Sequence, residues 1–182
     1  ILNVWFGGSE AAYAISDVLF GDVNPSGKLT ATFPQNVGQI PLFYNHKNTG
    51  RPLQEGRWFE KFRSNYLDVS NEPLYPFGYG LSYTEFCIRQ ENIRFDGEVL
   101  ELDVYVKNVG EKAGKEVVQV YVGKPESELE QPEKELVFFE KTKELLPGEE
   151  QKISVHVPVK VLTSYLEEKA AYILSKGYYR IY

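Results

Sequence analysis

Residues 99–122 read VLELDVYVKNVGEKAGKEVVQVYV, and this stretch decides the fold. Apolar side chains fall at every second position within residues 100–106 and again within residues 118–122. The side chains of a strand alternate between its two faces, so a period of two predicts strands with one buried face. Gly110 and Gly114 lie between the two runs and predict a turn. The stretch therefore predicts two strands joined by a turn, each with one face in a core.

The same period continues through the last hundred or so residues of the chain. Residues 153–157 alternate again, and residues 136–139 form another apolar run. Two further short runs, at residues 172–174 and 178–182, flank a turn. Roughly six or seven short strands in such a length are typical of an immunoglobulin-like or fibronectin-like β-sandwich. We therefore expect a mainly β fold over residues 84–182.

The beginning of the chain has a different pattern, that of one strand followed by one helix. Residues 1–6 form a short apolar run that predicts a strand, and Gly7-Gly8 ends it. Ser9 is a preferred N-cap residue, and apolar side chains then recur at helical spacing until Gly21. One strand and one helix cannot enclose a core. Residues 1–33 are therefore interpreted as an incomplete α/β unit whose partners lie upstream or on another chain.

Residues 34–83 show little periodicity but contain many aromatic side chains and five prolines. A free linker would not carry so many rings, because exposed aromatic surface is costly in water. We expect a long extended segment that runs along the sandwich and buries Tyr75, Phe77 and Tyr79.

Charged and aromatic residues are interspersed in this segment at Arg57, Trp58, Arg63 and Tyr66. Rings beside charged groups serve sugar binding, and they also serve the seam between two domains. The residues alone favour the seam. These four side chains are therefore expected to make interdomain or outer-cleft contacts.

The composition excludes several classes of function. The 182 residues carry a net charge of −6, whereas nucleic-acid binding needs a basic face. Every apolar run is shorter than the roughly 18 residues of a membrane span, and no signal-peptide pattern opens the chain. Cys87 is the single cysteine, and His46 and His156 lack partners at ligand spacing, so no disulfide, metal or cofactor is expected. The sequence has no methionine, so Ile1 is interpreted as an internal or processed start.

The turn at Gly7-Gly8-Ser9 is one candidate ligand site, because backbone N–H groups at a helix start attract anions and hydroxyls. The same residues fit an ordinary turn between a strand and a helix. The absence of a phosphate-loop lysine favours this second interpretation. Glu10 is the carboxylate beside this turn, so Ser9 and Glu10 are the candidates for a loop near a substrate.

Several long motifs resemble those of family 3 glycoside hydrolases, the β-glucosidase and β-xylosidase type. Residues 9–34, SEAAYAISDVLFGDVNPSGKLTATFP, resemble the last strand, helix and loop of the α/β sandwich domain of that family. Residues 39–52, QIPLFYNHKNTGRP, and residues 73–83, PLYPFGYGLSY, resemble further family motifs. Residues 106–122 and 146–157 resemble its C-terminal fibronectin type III-like domain. The resemblance covers essentially the whole chain.

The resemblance implies a division into three parts. Residues 1–33 would be the incomplete end of the α/β sandwich domain, residues 34–83 an extended interdomain segment, and residues 84–182 a fibronectin type III-like β-sandwich. The intact enzyme would be a retaining β-glycosidase that cleaves β-linked sugars from a non-reducing end. Its nucleophilic aspartate belongs to an N-terminal barrel and its acid/base glutamate to a segment upstream of Ile1, so no catalytic residue is expected in this chain.

The resemblance also implies partners and a location. The partners are the remaining barrel and α/β sandwich domains of the same enzyme, with a carbohydrate substrate in the intact enzyme, and neither nucleic acid nor a membrane. A periplasmic or secreted location is favoured. In this interpretation the chain stabilises the catalytic domains and is inactive alone.

An alternative from another class stays open, which is a stand-alone carbohydrate-binding or adhesion module. It would hold polysaccharide on exposed aromatic rings such as Trp58. The unpartnered strand and helix at the start of the chain favour the glycosidase, because a free-standing module has no use for them.

Overall fold

The computed structural model describes residues 1–47, 50–54, 56–125 and 129–182. Within these residues, all the elements except helix α1 and one short turn lie after residue 85. The helices are α1 (Ala11–Phe20) and α2 (Val159–Leu162), and single 3₁₀ turns lie at Val37–Gln39 and Glu167–Lys169. The strands are β1 (Phe86–Phe95), β2 (Val99–Asn108), β3 (Val117–Gly123), β4 (Glu135–Lys141), β5 (Glu150–Pro158), β6 (Ser164–Leu166), β7 (Ala171–Ile173) and β8 (Arg180–Ile181).

Two antiparallel sheets face each other and form a β-sandwich. One sheet has the strand order β1-β2-β5 and the other β4-β3-β8, while β6 and β7 form a separate hairpin. Val104 of β2 lies opposite Ile153 of β5, and Val120 of β3 lies opposite Phe138 of β4. The mainly β sandwich expected from the sequence is confirmed.

The core lies between the two sheets and is built from the residues that alternate in the sequence. Each of these side chains, when fully buried, contributes about 1.5–3 kcal/mol relative to an exposed one. Their neighbours along the strands face outward and are mostly polar or aromatic. The core residues are Leu100, Leu102, Val104, Val106, Val118, Val120, Val122, Leu145, Ile153, Val155, Val157 and Leu162.

Residues 29–33 and 74–79 form a third layer on the outer face of β3. The two runs lie side by side and exchange backbone hydrogen bonds, several of them 2.8 Å long. The carbonyl of Gly78 accepts a hydrogen bond of 3.0 Å from Nε2 of Gln119 on β3. Gly78 has φ +82°, and a Cβ there would lie 2.1 Å from Oε1 of Gln119, so this close approach requires glycine. The aromatic segment therefore runs along the sandwich, as expected.

The burial of the rings in this layer is less complete than predicted. Tyr75 and Phe77 are half-buried, whereas Tyr79 remains 37% exposed. The prediction that all three would be buried is therefore wrong. The reason is that the Tyr79 ring stacks on Tyr75, with centroids 5.1 Å apart, and stays on the solvent side of the layer.

Helix α1 forms where the spacing predicted it and ends at Gly21, which has φ +86°. Residues 1–6, in contrast, form no strand and are exposed, so that prediction is wrong for this chain. A strand requires a neighbour for its backbone N–H and C=O groups, and no described residue pairs with this run. None of the side chains of α1 is fully buried within this chain.

Candidate functional site

A cleft of roughly 860 Å³ opens between residues 42–77 and the outer face of the sandwich. It is lined mostly by the irregular segment, together with Tyr121 of β3 and with Glu133 and Lys134 before β4. It combines aromatic rings with amide, guanidinium, carboxylate and ammonium groups, a mixture that suits a polar ligand with apolar faces. The lining includes Phe43, Tyr44, His46, Arg57, Trp58, Asn71, Phe77, Tyr121, Glu133 and Lys134.

One wall of the cleft is a cluster of three rings. Tyr44 stacks on Phe77 with ring centroids 4.3 Å apart, and its ring meets Tyr121 edge-on at 5.9 Å. The hydroxyl of Tyr44 accepts a hydrogen bond of 3.2 Å from the backbone N–H of Leu136 on β4. Such pairs are worth about 0.5–1.5 kcal/mol beyond the area they bury. The cluster therefore fixes the irregular segment on both β3 and β4.

The hydroxyl of Tyr121 is a neutral donor within this wall. Burial raises the pKa of Tyr121 above its ordinary value, and the neighbouring Tyr44 adds to the shift. The hydroxyl donates a hydrogen bond of 2.7 Å to Oε1 of Gln119. A raised pKa keeps the hydroxyl protonated, and so able to donate, to a higher pH than an exposed tyrosine.

Arg57 and Trp58 are the two predicted site residues that line the cleft. Trp58 is 61% exposed, and its ring lies 5.7 Å from that of Phe59 at a tilt of 45°. The backbone N–H of Arg57 donates to the carbonyl of Gln54, which forms the turn that carries both side chains. A large exposed ring beside a guanidinium offers a flat apolar face and charged donors to a ligand.

Arg63 and Tyr66, the other two predicted residues of this segment, lie outside the cleft lining. Nε of Arg63 lies 3.6 Å from Oε1 of Glu60. The hydroxyl of Tyr66 donates a hydrogen bond of 3.0 Å to the carbonyl of Gln39. These contacts hold the loop together and leave the ligand-facing position to Arg57 and Trp58.

Ser9 and Glu10 lie in an exposed turn that does not line the cleft. The backbone N–H of Ala11 donates to the carbonyl of Gly8 at 3.0 Å, so the chain turns once before the helix begins. Glu10 therefore occupies the N-cap position, without a side-chain cap. The prediction of Ser9 as the N-cap is wrong for this reason.

Gln39 organises the irregular segment, and sequence reasoning missed it. It is almost fully buried, and its Nε2 donates hydrogen bonds to the carbonyls of Ser70 and Glu72 at 2.9 and 3.2 Å. Its Oε1 accepts from the backbone N–H of Gln35 at 2.5 Å. These bonds join both ends of the segment that forms the cleft wall. A glutamine in an irregular run carries no periodic signal, so only its three-dimensional partners reveal it.

The histidines lie on opposite parts of the molecule. His46 lines the cleft, with Nδ1 3.2 Å from the carbonyl oxygen of Lys47, while His156 faces outward on β5, 3.4 Å from Glu101. Across the described ranges, no group of three or more histidine, cysteine or acidic residues is arranged to hold a metal ion. Among the helices of the same ranges, none has the length and apolar character needed to cross a membrane.

Two family models match this sequence. The glycosyl hydrolase family 3 C-terminal domain matches residues 1–83, and the fibronectin type III-like domain matches residues 116–182. Together they account for most of the chain.

Known proteins match both the sequence and the fold. The chain is 41% identical to the periplasmic β-glucosidase of Salmonella typhimurium, over 100% of its own length and 24% of that protein. It is 39% identical to a probable β-glucosidase I of Aspergillus niger, again over 100% of this chain and 23% of the relative. The β-glucosidase of Listeria innocua in complex with glucose superimposes with a TM-score of 0.91 at 41% identity, over 98% of this chain and 25% of that one. β-Glucosidase 3B of Thermotoga neapolitana, in complex with α-D-glucose, superimposes with a TM-score of 0.76 at 33% identity, over 98% and 26%.

Proposed function

Because this chain belongs to glycosyl hydrolase family 3 and carries its C-terminal region, we propose that it is the non-catalytic C-terminal portion of a retaining β-glucosidase-like enzyme. The observation that carries the proposal is the likeness over its whole length to β-glucosidases of which it spans about a quarter. The intact enzyme would hydrolyse β-linked sugars at a non-reducing end through a covalent glycosyl intermediate. The two carboxylates for this chemistry would lie in the remaining domains.

In this proposal, the chain has three parts with different roles. Residues 1–33 complete an α/β sandwich domain, residues 34–83 form the interdomain segment, and residues 84–182 are the fibronectin type III-like module. The position of α1 in the first part supports this division, as does the start of β1 at Phe86.

The partners of the first part are the barrel and the rest of the α/β sandwich domain. Its apolar side chains support this, since Trp5, Phe6, Tyr13 and Phe20 are all exposed, Phe6 completely and Phe20 to 83%. Exposed apolar surface of this kind is typical of a surface that another domain covers. Covering it would hold the turn at Ser9 and Glu10 near the substrate end of the completed sheet.

Besides supporting the catalytic domains, the chain would contact the sugar through its cleft. Arg57 and Trp58 would form part of the outer sugar cleft, while Arg63 and Tyr66 would hold the loop that carries them. A sugar has apolar C–H faces and polar edges, which match an exposed indole beside a guanidinium.

A periplasmic or secreted location accompanies this function. The support is the relative from Salmonella typhimurium, which is named a periplasmic β-glucosidase.

Hydrolysis of an aryl β-glucoside by the purified chain tests the proposal. We expect no turnover above the rate without protein, because the chain lacks both catalytic carboxylates. Turnover by the chain alone that Glu10→Gln abolishes would contradict the proposal. Adding the upstream barrel and sandwich domains as a separate chain is expected to restore turnover.

A carbohydrate-binding module is the second candidate, and the exposure of Trp58 in the cleft favours it. Calorimetric titration with a soluble β-glucan separates the two functions. Saturable binding that Trp58→Ala removes would support the module. Trp5→Ala is the matched control, because Trp5 is 58% exposed and lies outside the cleft lining.

A further inference from the structure

The loop between α1 and the third layer, residues 24–28 (NPSGK), is bound closely to the sandwich. Asn24 lies at its beginning, and its Nδ2 donates a hydrogen bond of 2.9 Å to the carbonyl of Ala113 in the turn between β2 and β3. Its Oδ1 accepts from the hydroxyl of Ser82 at 2.9 Å and from the backbone N–H of Tyr83 at 2.8 Å. One side chain thus joins three stretches of the chain that are far apart in sequence.

Lys28 lies at the end of the same loop and forms a largely buried ion pair. Its Nζ lies 2.7 Å from Oε1 of Glu116, and the two side chains are only 15% and 13% exposed. The same ammonium donates to the carbonyl of Gly80 at 2.9 Å. Oε1 of Glu116 also accepts from the backbone N–H of Val117 at 2.6 Å, which fixes the carboxylate. Removing one partner of such a pair leaves a buried charge without compensation.

Two glycines allow the close packing around these contacts, one against backbone and the other against side chains. A Cβ at Gly80 would lie 2.4 Å from the carbonyl oxygen of Gly27. A Cβ at Gly114 would lie 2.7 Å from Nδ2 of Asn24. The loop is therefore packed closely against the aromatic segment at Gly80 and against the sandwich at Gly114.

Helix α1 is connected to this region by one further contact. The hydroxyl of Tyr83 donates a hydrogen bond of 2.8 Å to the carbonyl of Val18 in α1. None of the side chains of α1 is fully buried, and Ile15 and Val18 are half-buried, so apolar packing within the chain holds the helix only in part. Its placement also depends on polar contacts, which are directional and so define an orientation.

We propose that Asn24, Lys28 and Tyr83, together called the latch, are positioning residues that fix the orientation of helix α1 on the sandwich. Through α1 they also fix the Gly8–Glu10 turn at its start. The position of this turn is then defined relative to the sandwich. The inference concerns geometry within this chain, so it does not depend on the hydrolytic activity proposed above.

Electron–electron distance measurement between two spin labels tests the latch directly. One label is attached to Cys87, which is exposed on β1, and the other to an exposed position of α1 through Ser16→Cys. The chain with an intact latch is expected to give a single narrow distance. The double variant Asn24→Ala with Lys28→Met is expected to lose this narrow distance and give a broad distribution.

Lys141→Met is the matched control, because it also removes a lysine contact to the loop. Nζ of Lys141 lies 3.1 Å from the hydroxyl of Ser26, but this pair is exposed. This control, like the conservative variant Lys28→Arg, is expected to keep the narrow distance. A double variant that also keeps it would overturn the proposal.

A second variant keeps the test decisive if the double variant aggregates. Tyr83→Phe removes a single hydroxyl from a partly exposed ring, and it is expected to broaden the distance without lowering the unfolding midpoint of the sandwich. A lower midpoint with an unchanged narrow distance would show a purely stabilising role, and so would overturn the assignment as positioning residues.

Discussion

Asn108, at the end of β2, is a single residue on which the geometry of a whole turn depends. It is fully buried, and its Nδ2 donates to the carbonyls of Lys112 and Leu145, both at 2.8 Å. Its Oδ1 accepts from the hydroxyl of Thr84 at 2.8 Å and from the N–H of Gly110 at 3.1 Å. A buried amide whose donors and acceptor are all used stabilises one conformation, because every alternative leaves polar groups unpaired.

Asn108→Ala is expected to lower the free energy of unfolding by about 2–4 kcal/mol, since it leaves several buried polar groups without partners. Urea-induced unfolding followed by far-ultraviolet circular dichroism of the sheets measures the change. The control is Asn71→Ala, which removes an exposed hydrogen bond to the carbonyl of Ser64 and is expected to cost less than about 0.5 kcal/mol. Equal losses in the two variants would contradict the role assigned to Asn108.

Asp103 makes the stability of the outer face of β2 dependent on pH. Its carboxylate lies 2.9 Å from Nζ of Lys152 and also accepts from Asn92 and Ser154. The Lys152 ammonium, followed by the Asn92 amide, lowers the pKa of Asp103 below its ordinary value of 3.8. The same contact raises the pKa of Lys152 above 10.5.

The stabilisation by Asp103 is therefore present above its unfolded pKa and is lost as the pH falls through its lowered folded value. The lysine has the opposite sign, because its contribution is lost as the pH rises through its raised folded pKa. We expect Asp103→Asn to flatten the acid side of the plot of unfolding free energy against pH, and Lys152→Met to do so as well. Acid limbs for wild type and Asp103→Asn that run parallel would contradict this.

The candidate site could be predicted from sequence only where the residue type itself indicates a binding role. Arg57 and Trp58 could be predicted because rings beside charged groups serve sugar binding or a domain seam, and both line the cleft. Gln39 and Asn24 were not identified as site or positioning residues. Their roles depend on carbonyls and amides that tertiary structure brings to them from distant segments, and no local pattern encodes those partners.

At the scale of the elements, the strands are stabilised by burial between two sheets, whereas helix α1 lies outside the sheets and has no fully buried side chain. Strands β2, β3 and β5 were predictable because burial between two sheets imposes a period of two on their sequences. The expected strand over residues 1–6 was wrong because the apolar run has no partner strand among the described residues. An apolar pattern indicates a segment that is buried in the folded protein. It does not identify the partner segment that buries it.

Substitutions in β5 and in α1 are expected to have opposite outcomes. Val155→Ala removes two methyl groups from a fully buried site in β5 and is expected to cost about 2 kcal/mol. Phe20→Ser, at a position that is 83% exposed, is expected to leave the unfolding free energy unchanged within about 0.5 kcal/mol. Thermal and urea unfolding of the two variants measure both values. A large loss for Phe20→Ser would mean that α1 packs more tightly than its exposure indicates.

At the scale of the whole molecule, the sandwich, the aromatic layer and helix α1 are held by different forces. The two sheets share an apolar core, the aromatic segment packs on the outside of one sheet through Tyr44, Phe77 and Tyr121, and α1 is held by the latch. The aromatic layer and helix α1 therefore contribute differently to stability. The aromatic layer adds packing energy to the sandwich, whereas α1 with the residues before it adds little.

Two shortened chains distinguish these contributions. A chain that begins at Asp22 is expected to unfold within about 0.5 kcal/mol of the full chain, because no side chain of residues 1–20 is fully buried. A chain that begins at Thr84 lacks the aromatic layer and is expected to lose at least about 2 kcal/mol. Denaturant unfolding of both gives the comparison. A stable Thr84 chain would show that the aromatic layer contributes no net stability.

The pairing of β2 with β5, and of β3 with β8, joins segments that are widely separated along the chain. Each pairing requires a long loop to close before its contacts form, so the search for the native arrangement is slow. Folding is therefore expected on the timescale of milliseconds to seconds that is typical of such β topologies. During that interval β1 and β4, which end as edge strands, are open to pairing with other copies. Slow synthesis at low temperature should consequently give a larger soluble yield than rapid synthesis.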